Sequence, residues 1–299
     1  MKFNNEQKAT VLLFSAALMW GSSFVGSKIC LNAGMLPFET VFYRMLLGTL
    51  FLAVIFRKEL RHFSREALIG GVLLGLVTSL IYTAEMFGIS MVETTKASFL
   101  TSTNIVMMPF LCALFLKTPL SPRSFLAAFI TICGVAVMNL TGGETFSIAL
   151  GDSLLLLAGF LYAMSSIVAA KFGRNVSPVQ MTFLQLFVTM IYTGIMMLFE
   201  GRCGYYPPQA VGAILYLAVG PTFICFLIKN YALHHLAPLR CTLILSTEGV
   251  FCALLSLAIL HDHLTVKLVL GILLIFAGIS IENFGSALKQ RRTAAVNPD

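Results

Sequence analysis

Apolar residues run along this chain in ten long blocks separated by short polar breaks, at about 9–29, 38–56, 67–89, 95–116, 123–140, 149–170, 179–199, 209–231, 238–260 and 265–286. A helix rises ~1.5 Å per residue, so a block of about 20 residues crosses the ~30 Å hydrocarbon layer of a bilayer. The breaks carry residues that interrupt helices: Pro37, Pro119 with Pro122, Gly142-Gly143, Pro178, Pro207-Pro208 and Pro238. None of the connections is long enough for a separate soluble domain, so the chemistry is expected inside the membrane. The stretch 11–27 looks like the apolar core of a signal peptide, but it is long for one and no small-x-small site closes it, so it is read as the first span.

Composition agrees with the pattern. Of 299 residues, 58% are hydrophobic and 11% charged, with a mean hydropathy of +0.89, against roughly 25% charged in a soluble domain. The net charge of +7 raises nucleic acid as a partner, but the basic residues sit at the edges of apolar blocks and form no single face, so none is expected. With the N-terminus inside, fifteen Lys and Arg fall on the inner side, four on the outer side, and Arg44 falls within the second span. That asymmetry places both termini in the cytoplasm of a multi-pass protein of the cell (inner) membrane. The seven cysteines show no metal-type spacing, and no metal or cofactor is expected. Cys30 and Cys203 fall in connecting segments and are the one candidate for pairing.

The chain also repeats itself. Residues 97–140 align without a gap on 241–284, matching Ser102 with Ser246, Thr103 with Thr247, Gly134 with Gly278 and Asn139 with Asn283. Upstream, Trp20 falls opposite Tyr162, Pro37 opposite Pro178 and Arg44 opposite Gln185. Leucine matches between membrane helices are common by chance, whereas Ser-Thr, Gly and Asn matches in one register are not. The halves, 1–143 and 144–299, hold five spans each. An odd number makes the second half enter the membrane from the opposite side. The expected fold is therefore an all-α integral membrane protein of ten transmembrane helices in two inverted five-helix repeats. That architecture recurs in secondary transporters, with the substrate near the midplane between the repeats.

Four stretches resemble a known family. Trp20-Gly21-Ser22-Ser23-Phe24 followed by the run from Pro37 to Arg44 is similar to the opening of an EamA-type domain, and the stretches Thr94 to Gly134 and Leu239 to Gly278 are similar to its end, occurring twice. The resemblance covers nearly the whole chain and points to the drug/metabolite transporter superfamily, whose EamA members are ten-helix secondary transporters, often exporters of amino acids and other metabolites. It implies a central cavity surrounded by helices 1, 3 and 4 and their counterparts 6, 8 and 9. The chain departs from the family pattern at Thr118, where an acidic residue is usual and Asp262 supplies it in the second half, and at Glu248-Gly249, where the family has Glu-Pro.

A charge at the centre of a membrane helix costs at least ~2.5 kcal/mol, so each one needs a reason. The candidates for substrate contact are Trp20, Tyr82, Asn104, Tyr162, Tyr231 and Glu248; those for a coupling or charge network are Arg44, Glu85, Lys229 and Glu248. Glu248, mid-helix with no interface to reach, is the foremost of them. Other readings stay open: Arg44 fixes packing by pairing with a carboxylate or capping carbonyls, Lys229 and Glu282 snorkel to the cytoplasmic surface, Glu85 reaches the outer interface, and the aromatic residues only pack. His261-Asp262-His263 and His234-His235 are too closely spaced for zinc ligands on one helix face and are read as surface loops. Gly21, Ser22, Ser23, Gly26 and Ser27, and again Gly70, Gly71 and Gly75, form small-residue faces for close helix packing.

No GxxxxGK[ST], HExxH or GxSxG sequence occurs, so neither ATP hydrolysis nor enzymatic catalysis is expected and no catalytic residue is assigned. The expectation is alternating access driven by a substrate or ion gradient, with Glu248 or Glu85 as proton carrier, since burial favours the neutral form of a carboxyl and an approaching ammonium the charged one. Glu, Asn and aromatic groups with Arg suit an amino acid or an amine, and the cluster of basic side chains that a phosphorylated sugar needs is missing. A lipid flippase or scramblase is the alternative. The expected partners are a small-molecule substrate, protons and the bilayer, with the protein a monomer or homodimer.

Overall fold

The computed structural model describes residues 5–138, 149–173, 176–201, 206–261, 265–267, 269–278 and 280–281; Cys203, Asp262, His263 and Glu282 lie outside them. The described residues are helical throughout, with no strand. Eight helices are long and apolar enough to cross a membrane: α1 Asn5–Asn32, α2 Pro37–Ile55, α3 Arg65–Met91, α4 Thr94–Leu116, α6 Leu150–Phe172, α7 Pro178–Glu200, α8 Pro208–His235 and α9 Pro238–Ile259. Two shorter apolar helices, α5 (Pro122–Met138) and α10 (Val269–Gly278), complete the order. This is a multi-pass membrane protein. Prolines open α2, α7, α8 and α9 at the first turn, where a missing N–H costs nothing. Cys30 lies buried inside α1 and not in a connection.

Helix directions can be read from the pairs that touch. Phe42 of α2 meets Gly194 of α7, and six residues further along α2 Gly48 meets Leu186, so the two helices run antiparallel. Gly134 of α5 packs on Ile275 and the Gly271 carbonyl of α10, while Gly278 of α10 packs on Thr131 and the Ala127 carbonyl of α5. Under the offset of 144 that aligns the repeat, these are one contact seen from its two sides, the signature of a two-fold relation. α3 packs on α6 and α7, as α8 packs on α1 and α2.

The hydroxyl and amide pairs obey the same exchange. Arg44 Nε donates to Thr222 Oγ1 at 2.9 Å, and its counterpart Gln185 Nε2 donates to Thr78 Oγ1 at 2.8 Å. Thr78 and Thr222 are again 144 apart. Gln185 also accepts from Asn230 Nδ2 at 3.0 Å, tying α3, α7 and α8 into one polar layer.

Close approach of α3 to its neighbours depends on the glycines singled out above. A Cβ on Gly71 would stand 2.5 Å from Leu184 Cβ, and one on Gly75 2.6 Å from Val188 Cβ, both atoms fixed to their backbones. Gly71→Val is expected to destabilise the protein by about 1–3 kcal/mol, as overpacking does. Gly212→Ala in α8, with nothing within 4 Å of the added carbon, should stabilise by about 0.5–1 kcal/mol through helix propensity. Thermal unfolding in detergent checks both.

Candidate functional site

Two of the long helices are broken at equivalent places. In α4 the helix lapses at Ser102-Thr103 and restarts at Asn104; in α9 it lapses at Ser246-Thr247 and restarts at Glu248. The bonds of the two threonines match. Thr103 N–H reaches Leu100 O at 3.3 Å and its hydroxyl the same carbonyl at 2.7 Å; Thr247 N–H reaches Ile244 O at 3.3 Å and its hydroxyl that carbonyl at 2.8 Å. Hydroxyls that bond back to the preceding turn compete with the helical ladder and bend it. Asn104 and Glu248 thereby stand at the starts of half-helices, on the positive end of the peptide dipoles.

A third irregularity lies in α8. Pro221 has no N–H to give, and residues Ala218–Ile224 wind as a π-helix around it. The Pro221 carbonyl accepts from Trp20 Nε1 at 2.8 Å, which fixes the indole of α1. Inserted π turns of this kind gather at functional sites.

Between these irregular segments lies a cavity lined from α1, α3, α4, α6, α8 and α9, the six helices the resemblance implies. It is narrow, with room for about one or two water molecules. Trp20, Tyr82, Glu85, Asn104, Tyr162 and Lys229 line it together with Glu248. Tyr162 donates from its phenol to Glu85 Oε2 at 2.5 Å, and Lys229 Nζ donates to Ser165 Oγ at 2.9 Å. The ammonium stands 5.7 Å from the Tyr162 ring and 6.0 Å from the Trp20 ring. Asn104 Oδ1 is buried without a partner, and the Glu248 carboxylate makes no hydrogen bond or ion pair among the described residues.

Several expectations change. Lys229 does not reach the cytoplasmic surface: only 4% exposed, it points into the protein. Glu85, 5% exposed, likewise stays away from the outer interface because Tyr162 holds it. Arg44 neither pairs with a carboxylate nor caps carbonyls among the described residues. Its guanidinium lies 4.8 Å above the Tyr82 ring, just behind the cavity wall, with Nη2 unpartnered. Tyr231 is not among the lining residues; it packs on the His235 ring at 4.5 Å. Two residues along a helix turn a side chain about 200°, so Lys229 and Tyr231 cannot face the same way.

Sequence reading missed Ser166 and Thr242, which line the cavity, and Ser165, which accepts from Lys229. The signal was their polarity within apolar runs. It also missed the buried carboxylate of Asp152, which Lys96 pairs at 2.8 Å between the starts of α4 and α6.

Comparison with known proteins agrees with this architecture. The family model described as the EamA-like transporter family matches residues 7–140 and again 149–284. An uncharacterized transporter of Archaeoglobus fulgidus is 27% identical over 89% of this chain and 82% of its own length. A WAT1-related protein of Arabidopsis thaliana is 25% identical, over 96% of this chain and 90% of that one. A crystal structure with 17% identity superposes at a TM-score of 0.70, covering 96% of this chain and 98% of the other, and so shares the fold. Two successive matches that together take in nearly every residue, one for each half, make the chain a member of the EamA-like transporter family, within the drug/metabolite transporter superfamily.

Proposed function

We propose that this protein is a secondary active transporter of ten spans in two inverted repeats, exporting small polar metabolites such as amino acids by alternating access coupled to protons. The antiparallel course of α2 against α7, its repeat counterpart, supports the inverted arrangement, and the Lys and Arg asymmetry supports cytoplasmic termini. Opposite charges facing one narrow cavity carry the substrate reading. Glu85, Glu248 and Lys229 all line it and offer both signs of charge to the two ends of a zwitterion, and the broken helices give each half a backbone terminus near it. Glu248, held by no other side chain among the described residues, is the group that exchanges a proton as substrate arrives.

Reconstituted protein in liposomes should take up radiolabelled amino acids saturably, faster when a pH gradient is imposed. Silence across a panel of amino acids and amines, in vesicles shown to hold folded protein, would remove the amino-acid assignment. Uptake indifferent to the pH gradient would remove proton coupling and leave the carrier intact.

A further inference from the structure

We propose that Lys229 selects for a carboxylate on the transported molecule, so that the cavity reads both ends of a zwitterion and not its amine alone. The inference rests on the amino-acid reading above and adds the residue that enforces it. An ammonium has three donors, and Lys229 uses one, on Ser165 Oγ at 2.9 Å. The lysine is buried and lines the cavity, yet among the described residues it makes no ion pair, although Glu85 and Glu248 line the same space. The rings of Tyr162 and Trp20 give a cation weak attraction and accept no ordinary hydrogen bond from it at 5.7 and 6.0 Å. A buried cation with open donors and no ion pair among the described residues is costly, and a ligand carboxylate answers both needs.

The acceptors lie on other helices of the same cavity. Glu85 Oε2 is engaged by the Tyr162 phenol. That leaves the Glu248 carboxylate and the buried, unpartnered Oδ1 of Asn104, equivalent residues at the restarts of α9 and α4, to receive a ligand ammonium. Glu85 and Lys229 are themselves equivalent under the 144-residue offset. Two identical halves would have furnished two acids or two bases at this level; this chain carries one of each, and the space between them is dipolar.

The test compares each amino acid with its carboxamide, which keeps the ammonium and the shape and loses only the negative charge. The readout is stabilisation of purified protein against heat, which follows ligand affinity. Wild type should be half-stabilised by the acid at a concentration at least about tenfold below that for the amide. In Lys229→Met the two should come within about twofold, while Lys229→Arg, which keeps the charge, retains a preference for the acid. Equal response of wild type to acid and amide overturns the inference, and needs no variant to fold. So does an undiminished acid preference in Lys229→Met. If no amino acid stabilises wild type, the amino-acid reading fails by itself. Straight-chain monocarboxylates against their amides then decide on Lys229 by the same criterion.

Discussion

Glu248→Gln is expected to lower amino-acid uptake by about 10- to 100-fold and to abolish the response to an imposed pH gradient, with little change in thermal stability. The magnitude is that of losing a hydrogen bond to a charged group, about 1.5–3 kcal/mol. Stability should hold because the carboxylate carries no partner among the described residues and its loss orphans nothing. Glutamine keeps the shape and still receives a ligand ammonium on its carbonyl, so some binding survives. It cannot give up a proton, so any coupling routed through this residue ends. Uptake and its pH response, measured together in proteoliposomes, separate the two effects. Normal uptake with an unaltered pH response would refute the role.

Arg44 should behave in the opposite way. It is the largest fully buried side chain among the described residues. Truncation to alanine leaves a void, removes the 2.9 Å bond to Thr222 and takes the cation from the Tyr82 face. A loss of about 3–5 kcal/mol is expected, similar to other large-to-small changes in a core. Arg44→Met fills most of the same volume and relieves the unpartnered Nη2, so its stability should stay within about 1.5 kcal/mol of wild type. Its transport should nonetheless fall about tenfold, because Arg44 lies within electrostatic reach of Glu85 and a buried charge acts across the wall of a cavity it does not enter. Thermal unfolding and uptake on the two variants separate filling from charge. Equal stability of both would show that neither volume nor bonding matters there.

The eight long helices were legible in the sequence because hydropathy over about twenty residues answers to one variable, the thickness of the bilayer. Most of the cavity residues were legible too, since a polar group in such a run needs a reason. The helix breaks were not. Ser102-Thr103 and Ser246-Thr247 contain no proline, and Pro109, the residue type that most often breaks a helix, lies inside a continuous helical segment. What interrupts the ladder is the set of hydroxyls bonding backward, and serine and threonine do that in unbroken helices as well. The direction of Lys229 was equally hidden. A four-carbon stem reaches the interface or the interior with similar ease, and only the packing of α8 against α6 decides between them. Tyr231 lies off the cavity for a simpler reason: its type suits a cavity wall and its angular position does not.

Among the described residues, the correspondence between the two halves lapses in the backbone of α8. Pro221 winds α8 into a π-helix over Ala218–Ile224, whereas its counterpart Val77 sits in the unbroken α-helix of α3. Two identical halves in an inverted arrangement would make the inward-open and outward-open forms mirror each other's energy, and each would be occupied half the time. A carrier with one loosened helix is a weighted coin. Under the alternating access proposed above, a π-helix in α8 without a counterpart in α3 would make the inward-open and outward-open forms unequal in energy.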